Sequence, residues 1–422
     1  MFAMIRLTVI MASWMPLAVY AQPPQPLALQ QLIVEALDRS PALKAAENRR
    51  DAATYRRPQV TELADPMFSY TRWISTPETR VGPQTSIFRL SQRIPYPGKR
   101  SLRGDLVDEA VNASESQRHI VSRDVTYQMS KAYYDLYAVE RSIEILDNYM
   151  STLLTFTRVA EEKYATGTGS QASVLKSQVE ASTIMARRLA FEGSRGGLAA
   201  AINALRDRPA DLPVETGSEL GISYYVIPES LLVEQALKNR QELQIVDAHI
   251  RRSDIVARAS GLAFRPDLEV QAAYITVPKK SNTITDSGKD AFSIMLGLNI
   301  PFRRAGRRAA ELEAKAEEMA NRMDRSRLEN LVRAEVSDIY QRATSTAATL
   351  RLYDQGMMAL AESSLESALA GYQSGTVDFL NLLDAERTLL KLRLDHIREL
   401  AQYRKYIAGL ERAVGGDLPG GR

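Results

Sequence analysis

Cysteine is absent from all 422 residues, so neither disulfides nor a cysteine-linked lipid can brace or anchor the chain. Histidine is scarce. His119, His249 and His396 lie far apart, and without cysteine they offer no metal-ligand spacing. Past the N-terminus, no stretch reaches the roughly 18 apolar residues that a membrane-spanning helix needs. Charge of one sign is also missing. The 54 basic and 51 acidic residues are interspersed and leave a net +3, which excludes the clustered Lys and Arg of a nucleic-acid face. Catalytic patterns fail as well. Gly98-Lys99-Arg100-Ser101 is no phosphate loop, because Arg93 stands where the first glycine should be. The neighbouring acids Glu161-Glu162 and Glu317-Glu318 fall on helical stretches, where adjacent side chains do not face each other. No metal, no cofactor, no nucleic-acid partner and no enzymatic activity is therefore expected.

What is present begins with an export signal over 1–21. Arg6 is its positive end, Leu7 to Val19 its apolar segment, and Val19 and Ala21 its small-residue cleavage pattern. The rest divides into a first repeat at 22–205, a Pro- and Gly-rich linker at 206–228, a second repeat at 229–415 and a tail at 416–422. The repeat is read from ordered recurrences. Ala36-Leu37, Leu43 and Pro66 return as Ala236-Leu237, Leu243 and Pro266; Ile94-Pro95 returns as Ile300-Pro301; Tyr164 and Gly167 return as Tyr372 and Gly375.

Each repeat has a helical pattern (Leu29 to Leu63; Glu229 to Leu262), two strand-like runs, a very long helical stretch (Asp105 to Thr166; Arg307 to Ala370), a glycine turn and a further helix (Ser170 to Leu205; Thr376 to Ala413). The long stretches carry apolar seams with alternating steps of four and three. Val125, Met129, Ala132, Leu136, Val139, Ile143, Leu146, Met150 and Leu153 mark one; Val332, Val336, Ile339, Ala343, Thr346, Leu350, Tyr353, Met357 and Leu360 mark the other. A seam of that period predicts helices packed as coiled coils. Asp105 to Thr166 alone would extend roughly 93 Å, longer than any compact domain requires. The lengths balance as two hairpins, each with one unbroken and one broken arm. Leu29 to Leu63 would complete the arm beside the second rod.

The strands are expected at about 66–75, 84–94, 267–277 and 290–300. In the second repeat Leu268, Val270 and Ala272 alternate with polar residues, as do Phe292, Ile294, Leu296 and Leu298. Segments of about ten residues with one apolar face suit tilted strands crossing a bilayer, which makes those seven side chains the lipid-facing candidates. Four strands cannot close a barrel, and open edges are not tolerated in lipid. Two copies would give eight strands and three would give twelve, of which only the larger leaves a channel.

Several motifs resemble the TolC-like outer-membrane efflux family: Ser91-Gln92-Arg93-Ile94-Pro95-Tyr96-Pro97-Gly98-Lys99 after the second strand, and Tyr372-Gln373-Ser374-Gly375-Thr376 leading into Leu382-Leu383-Asp384-Ala385-Glu386. The first of these looks most like the heavy-metal branch. The resemblance implies a mainly α fold with a small β part. Helical hairpins would form a periplasmic α-barrel, and four strands per chain would join a trimeric twelve-stranded outer-membrane barrel. It further implies a homotrimer in outer-membrane lipid, a periplasmic adaptor of the membrane fusion type and an inner-membrane pump of the RND type. The turns would be the adaptor-contacting tips, with Tyr164, Gly167, Thr168, Tyr372, Gly375 and Thr376. Asp384 would narrow the pore, with Asn381 one turn earlier where the family carries a second acid. Ser173 and Val377 replace charged partners of the family's closing latch. The expected function is passive export of metal cations or drugs. A protein-secretion channel of the same fold and a periplasmic coiled-coil scaffold are the alternatives.

Overall fold

The computed structural model describes residues 28–217, 220, 224, 227–280, 282, 283 and 285–418. The expected signal at 1–21 and the end of the tail lie outside the described residues. Helices α1 (Leu29–Arg39), α2 (Pro41–Thr54) and α3 (Arg56–Thr61) replace the first helical pattern. Pro41 drives the break, since the residue before a proline is pushed out of the helical region, and Ser40 has ψ 118°. The first sheet segment follows: β1 (Met67–Arg72), a small hairpin of β2 (Glu78–Thr79) and β3 (Gly82–Pro83), and β4 (Ser86–Ile94). The first rod is α4 (Lys99–Ala165), 67 residues or roughly 100 Å. It reverses into α5 (Gln171–Leu205). The second repeat runs α6 (Glu229–Asn239), α7 (Gln241–Leu262), β5 (Leu268–Thr276), β6 (Ala291–Leu298), α8 (Ala305–Leu352), a π turn at Tyr353–Met357, α9 (Met358–Ser374) and α10 (Phe379–Val414).

The seams bury as the 3.5-residue period requires, up to one point. Val125, Met129, Leu136 and Leu153 are buried on α4, and Val332, Val336 and Leu350 on α8. Past Tyr353 the predicted seam fails: Met357 is 39% exposed and Leu360 73%. The π turn admits one extra residue and rotates the helix beyond it. Ala361 and Tyr372 are buried instead, with Leu365 and Leu369 packed beside them. The second rod stays helical from Ala305 to Ser374, but its buried face changes at the π turn.

A second correction concerns packing. Helices α1–α3 lie against α4, not beside the second rod, and Leu32 and Ala36 join Val125, Met129 and Leu136 in one core. Gly104 permits this approach, because a Cβ there would meet Thr61 Cγ2 at 2.9 Å. The upper part of α8 packs on α6 and α7.

The four longer strands form one antiparallel sheet in the order β1-β4-β5-β6, so the central β4–β5 pair joins the two repeats. Cross-strand rows run Phe68, Leu90, Ala272, Ile294 and Tyr70, Phe88, Tyr274, Phe292. Their face is apolar and largely uncovered, with Ile294 and Phe292 both 67% exposed. The opposite face carries Ser69, Arg89, Ser91, Glu269, Gln271 and Ser293. Side chains of a strand alternate between faces, so this division follows directly from the sequence. Among the described residues β1 and β6 each have one unpaired edge.

Candidate functional site

The two helical turns at the far end of the rods are copies of one design. Gly167 and Gly375 adopt φ +75° and +79°, a conformation that ends helices and favours glycine. Beyond each, a threonine returns its N–H to the helix. Thr168 donates to the Lys163 carbonyl at 2.8 Å, and Thr376 to that of Gly371 at 2.9 Å. The next helices are capped by side chains, as Ser170 Oγ accepts from Ser173 N and Asp378 Oδ1 from Phe379 N. Tyr164, Gly167, Thr168, Gly375 and Thr376 are exposed at these turns. Tyr372 differs from the other predicted tip residues. It is only 7% exposed, packed edge-on against Phe379 with ring centres 5.6 Å apart. It holds the turn from within.

The latch positions read from the sequence are absorbed locally. Ser173 is buried in its cap, and Val377 packs on Gly371, where a Cβ would meet Val377 Cγ2 at 2.4 Å. The contact that joins the two tips was not foreseen. Lys163 Nζ donates to the Tyr372 carbonyl at 2.6 Å and lies 4.1 Å from the centre of its ring. Further up the hairpins, Tyr149 of α4 donates to Glu180 of α5 at 3.1 Å, and Arg387 of α10 pairs with the same carboxylate. Burial and the facing Glu180 push the Tyr149 phenol up. Glu386 is also buried, and burial raises its pKa, partly offset by Arg393. These partners lie on three different helices, so no local spacing announces them.

Asp384 and Asn381 lie one turn apart on the exposed stripe of α10, while Phe379, Leu382, Leu383 and Leu390 turn into the tip core. A carboxylate and an amide on one solvent-facing stripe can meet a hydrated ion or a copy of themselves across an axis.

A third constellation sits where sheet meets rods. Asp267 Oδ2 receives Arg93 at 2.9 Å, while its Oδ1 receives Lys99 Nζ at 2.7 Å and Tyr96 N at 3.0 Å. Burial alone would raise this carboxyl, but the Lys99 ammonium, the Tyr96 N–H and Arg93 outweigh it and hold the pKa at about 2. The motif after β4 therefore anchors the first repeat to the second. Gly98, at φ +91°, turns the chain into α4 immediately beside it.

Two long hairpins thus end in twin glycine turns, and a sheet with an uncovered apolar face sits at the opposite end of the rods. Residues 232–416 match the family described as Outer membrane efflux protein. The cobalt-zinc-cadmium resistance protein CzcC of Cupriavidus metallidurans is 22% identical over 343 residues, 80% of this chain and 79% of that protein. The outer membrane protein TolC of Vibrio cholerae is 23% identical over 331 residues, 72% of each. The crystal structure of VceC, also from Vibrio cholerae, shares the fold with a TM-score of 0.76 at 19% identity, over 93% of this chain and 97% of that one. The second repeat thus matches the outer membrane efflux protein family, and the chain as a whole shares the fold of VceC.

Proposed function

We propose that three copies close into one duct that carries metal cations outward from a periplasmic adaptor and an inner-membrane pump of the RND type. One observation carries this reading. The helices α3, α4, α7 and α8 follow the same order as the strands β1, β4, β5 and β6 that they adjoin, and both ends of that series are open. The β6 edge and the free side of α8 are then completed by β1 and α1–α3 of a second copy. Three copies supply twelve strands, enough to leave a channel. In that assembly Leu268, Val270, Ala272, Phe292, Ile294, Leu296 and Leu298 face lipid. Tyr164, Gly167, Thr168, Gly375 and Thr376 form the adaptor-facing end, with Tyr372 supporting them. Asp384 rings the axis, with Asn381 as a neutral layer beside it. The resistance named for the Cupriavidus relative favours metal cations as cargo. Native mass measurement of detergent-extracted protein tests the assembly, and a mass three times that of the chain is expected. A stable monomer with its full sheet content overturns the reading. Loss of cobalt, zinc and cadmium tolerance on gene deletion, with drug tolerance intact, is the expected cargo result.

A further inference from the structure

The junction at Asp267 has a counterpart elsewhere in the chain that is empty of its acid. Ile94-Pro95 lies at the end of β4 and Ile300-Pro301 just after β6, and α4 and α8 begin at the same distance beyond them, at Lys99 and Ala305. On that alignment Ser91 corresponds to Gly297. Ser91 pairs with Met67, and Gly297 with Glu269. Met67 is thus the counterpart of Glu269, and two residues earlier Asp65 is the counterpart of Asp267. Strand register here replaces the proline alignment of Pro66 with Pro266, which is offset by two residues.

Asp267 precedes β5 and takes its partners from the segment after β4, its neighbour in the sheet. By the same geometry, the segment after β6 should receive Asp65 from whichever β1 pairs with β6. Within the chain these strands lie at opposite edges. Asp65, Arg303 and Arg304 are all exposed, and among the described residues none of them joins an ion pair. The flanking side chains show the same complementarity. Arg265 lies 5.9 Å from the ring of Tyr96 at the filled junction. The counterpart of Tyr96 is Phe302, 81% exposed, and that of Arg265 is Leu63, 41% exposed. A cation–ring pair is replaced by two apolar side chains, both of them exposed here. Beside Phe302 lies a groove of about 580 Å³ lined by Phe264, Ile300, Pro301, Phe302 and Arg304.

We propose that the segment Ile300 to Arg304 is a socket for the segment Leu63 to Asp65 of a second copy of this chain. Leu63 of the second copy enters the groove against Phe302. Its Asp65 accepts a hydrogen bond from the Phe302 N–H and pairs with Arg303 and Arg304, as Asp267 does with Tyr96 N–H, Arg93 and Lys99. The inference rests on the multi-copy duct proposed above and specifies the contact that locks one copy to the next. The anchor is ionic and semi-buried, so charge should decide it more than shape.

The native chain has no cysteine, which makes cross-linking clean. Leu63→Cys combined with Phe302→Cys should give covalent dimers and trimers on oxidation, while either single variant gives none. In parallel, Asp65→Lys should lower the temperature at which the detergent-extracted oligomer dissociates, and adding Arg303→Glu with Arg304→Glu should restore it. Intact oligomers that neither cross-link nor respond to the charge reversal would overturn the socket and leave the duct standing. A monomeric wild-type protein would remove both. If the double-cysteine variant fails to assemble, the loss and recovery in the charge series decide the matter.

Discussion

Lys163, on the last turn of the first rod, donates to the Tyr372 carbonyl at 2.6 Å and stands over that residue's ring at 4.1 Å. A single side chain thereby couples the tips of two hairpins that are otherwise far apart in sequence. A charged hydrogen bond contributes about 1.5–3 kcal/mol and an exposed cation–π contact about 0.5–1 kcal/mol. Lys163→Ala should therefore loosen the tip by about 1–3 kcal/mol, read as larger or more frequent openings in planar-bilayer recordings. Lys163→Arg should retain most of the closed state. Unchanged conductance in the alanine variant would show that other contacts hold the tips.

Asp267 gives a pH prediction with a definite sign. Its folded pKa of about 2 lies below the ordinary 3.8. A depressed carboxyl stabilises the fold above its unfolded pKa and loses that contribution as pH falls through the folded value. Wild-type protein should therefore outlast Asp267→Asn in thermal unfolding at about pH 5, by about 1–3 kcal/mol. That advantage should shrink between about pH 4 and pH 2. A gap that stays constant over this window would mean that the carboxylate charge is not what anchors the strand.

The strand phase yields a third prediction. Ile294 projects from the apolar face and Ser293 from the opposite one. An arginine on the lipid face near the middle of the bilayer costs about 2–4 kcal/mol. Ile294→Arg should deplete the protein from the outer-membrane fraction, while Ser293→Arg should insert nearly normally. Equal insertion of the two variants would place the lipid on neither face as drawn.

Much of this architecture could be read from the sequence because it is periodic. Alternation along β5 and β6 divides their two faces, and the 3.5-residue seams locate both rods, since each pattern repeats over a single element. The phase change at Tyr353 escaped because one inserted residue carries no compositional mark. Its trace is the later spacing of Ala361, Leu365, Leu369 and Tyr372. The Asp267 cluster escaped for a different reason. Its partners Arg93, Tyr96 and Lys99 come from the other repeat, and only the β4–β5 register brings them together. The placement of Leu29 to Leu63 failed because chain lengths balance equally well against either rod, and only the core at Leu32, Ala36 and Met129 decides between them.

In the proposed duct, Asp384 is the residue expected to set selectivity most directly. It is exposed on α10, one turn beyond Asn381, with the apolar side of the helix held by Leu382, Leu383 and Leu390. That packing fixes which way the carboxylate points, and a ring of three would concentrate negative charge around the axis. Like charges in such a ring resist full ionisation and attract cations. Asp384→Ala should weaken cation selectivity in planar bilayers and reduce block by divalent and trivalent ions, leaving insertion and oligomer mass unchanged. Asn381→Asp should act in the opposite direction by adding a second charged layer, with block at lower ion concentrations. Wild-type selectivity and block in Asp384→Ala would return that carboxylate to the solvated surface of α10 and move the constriction to another part of the tip.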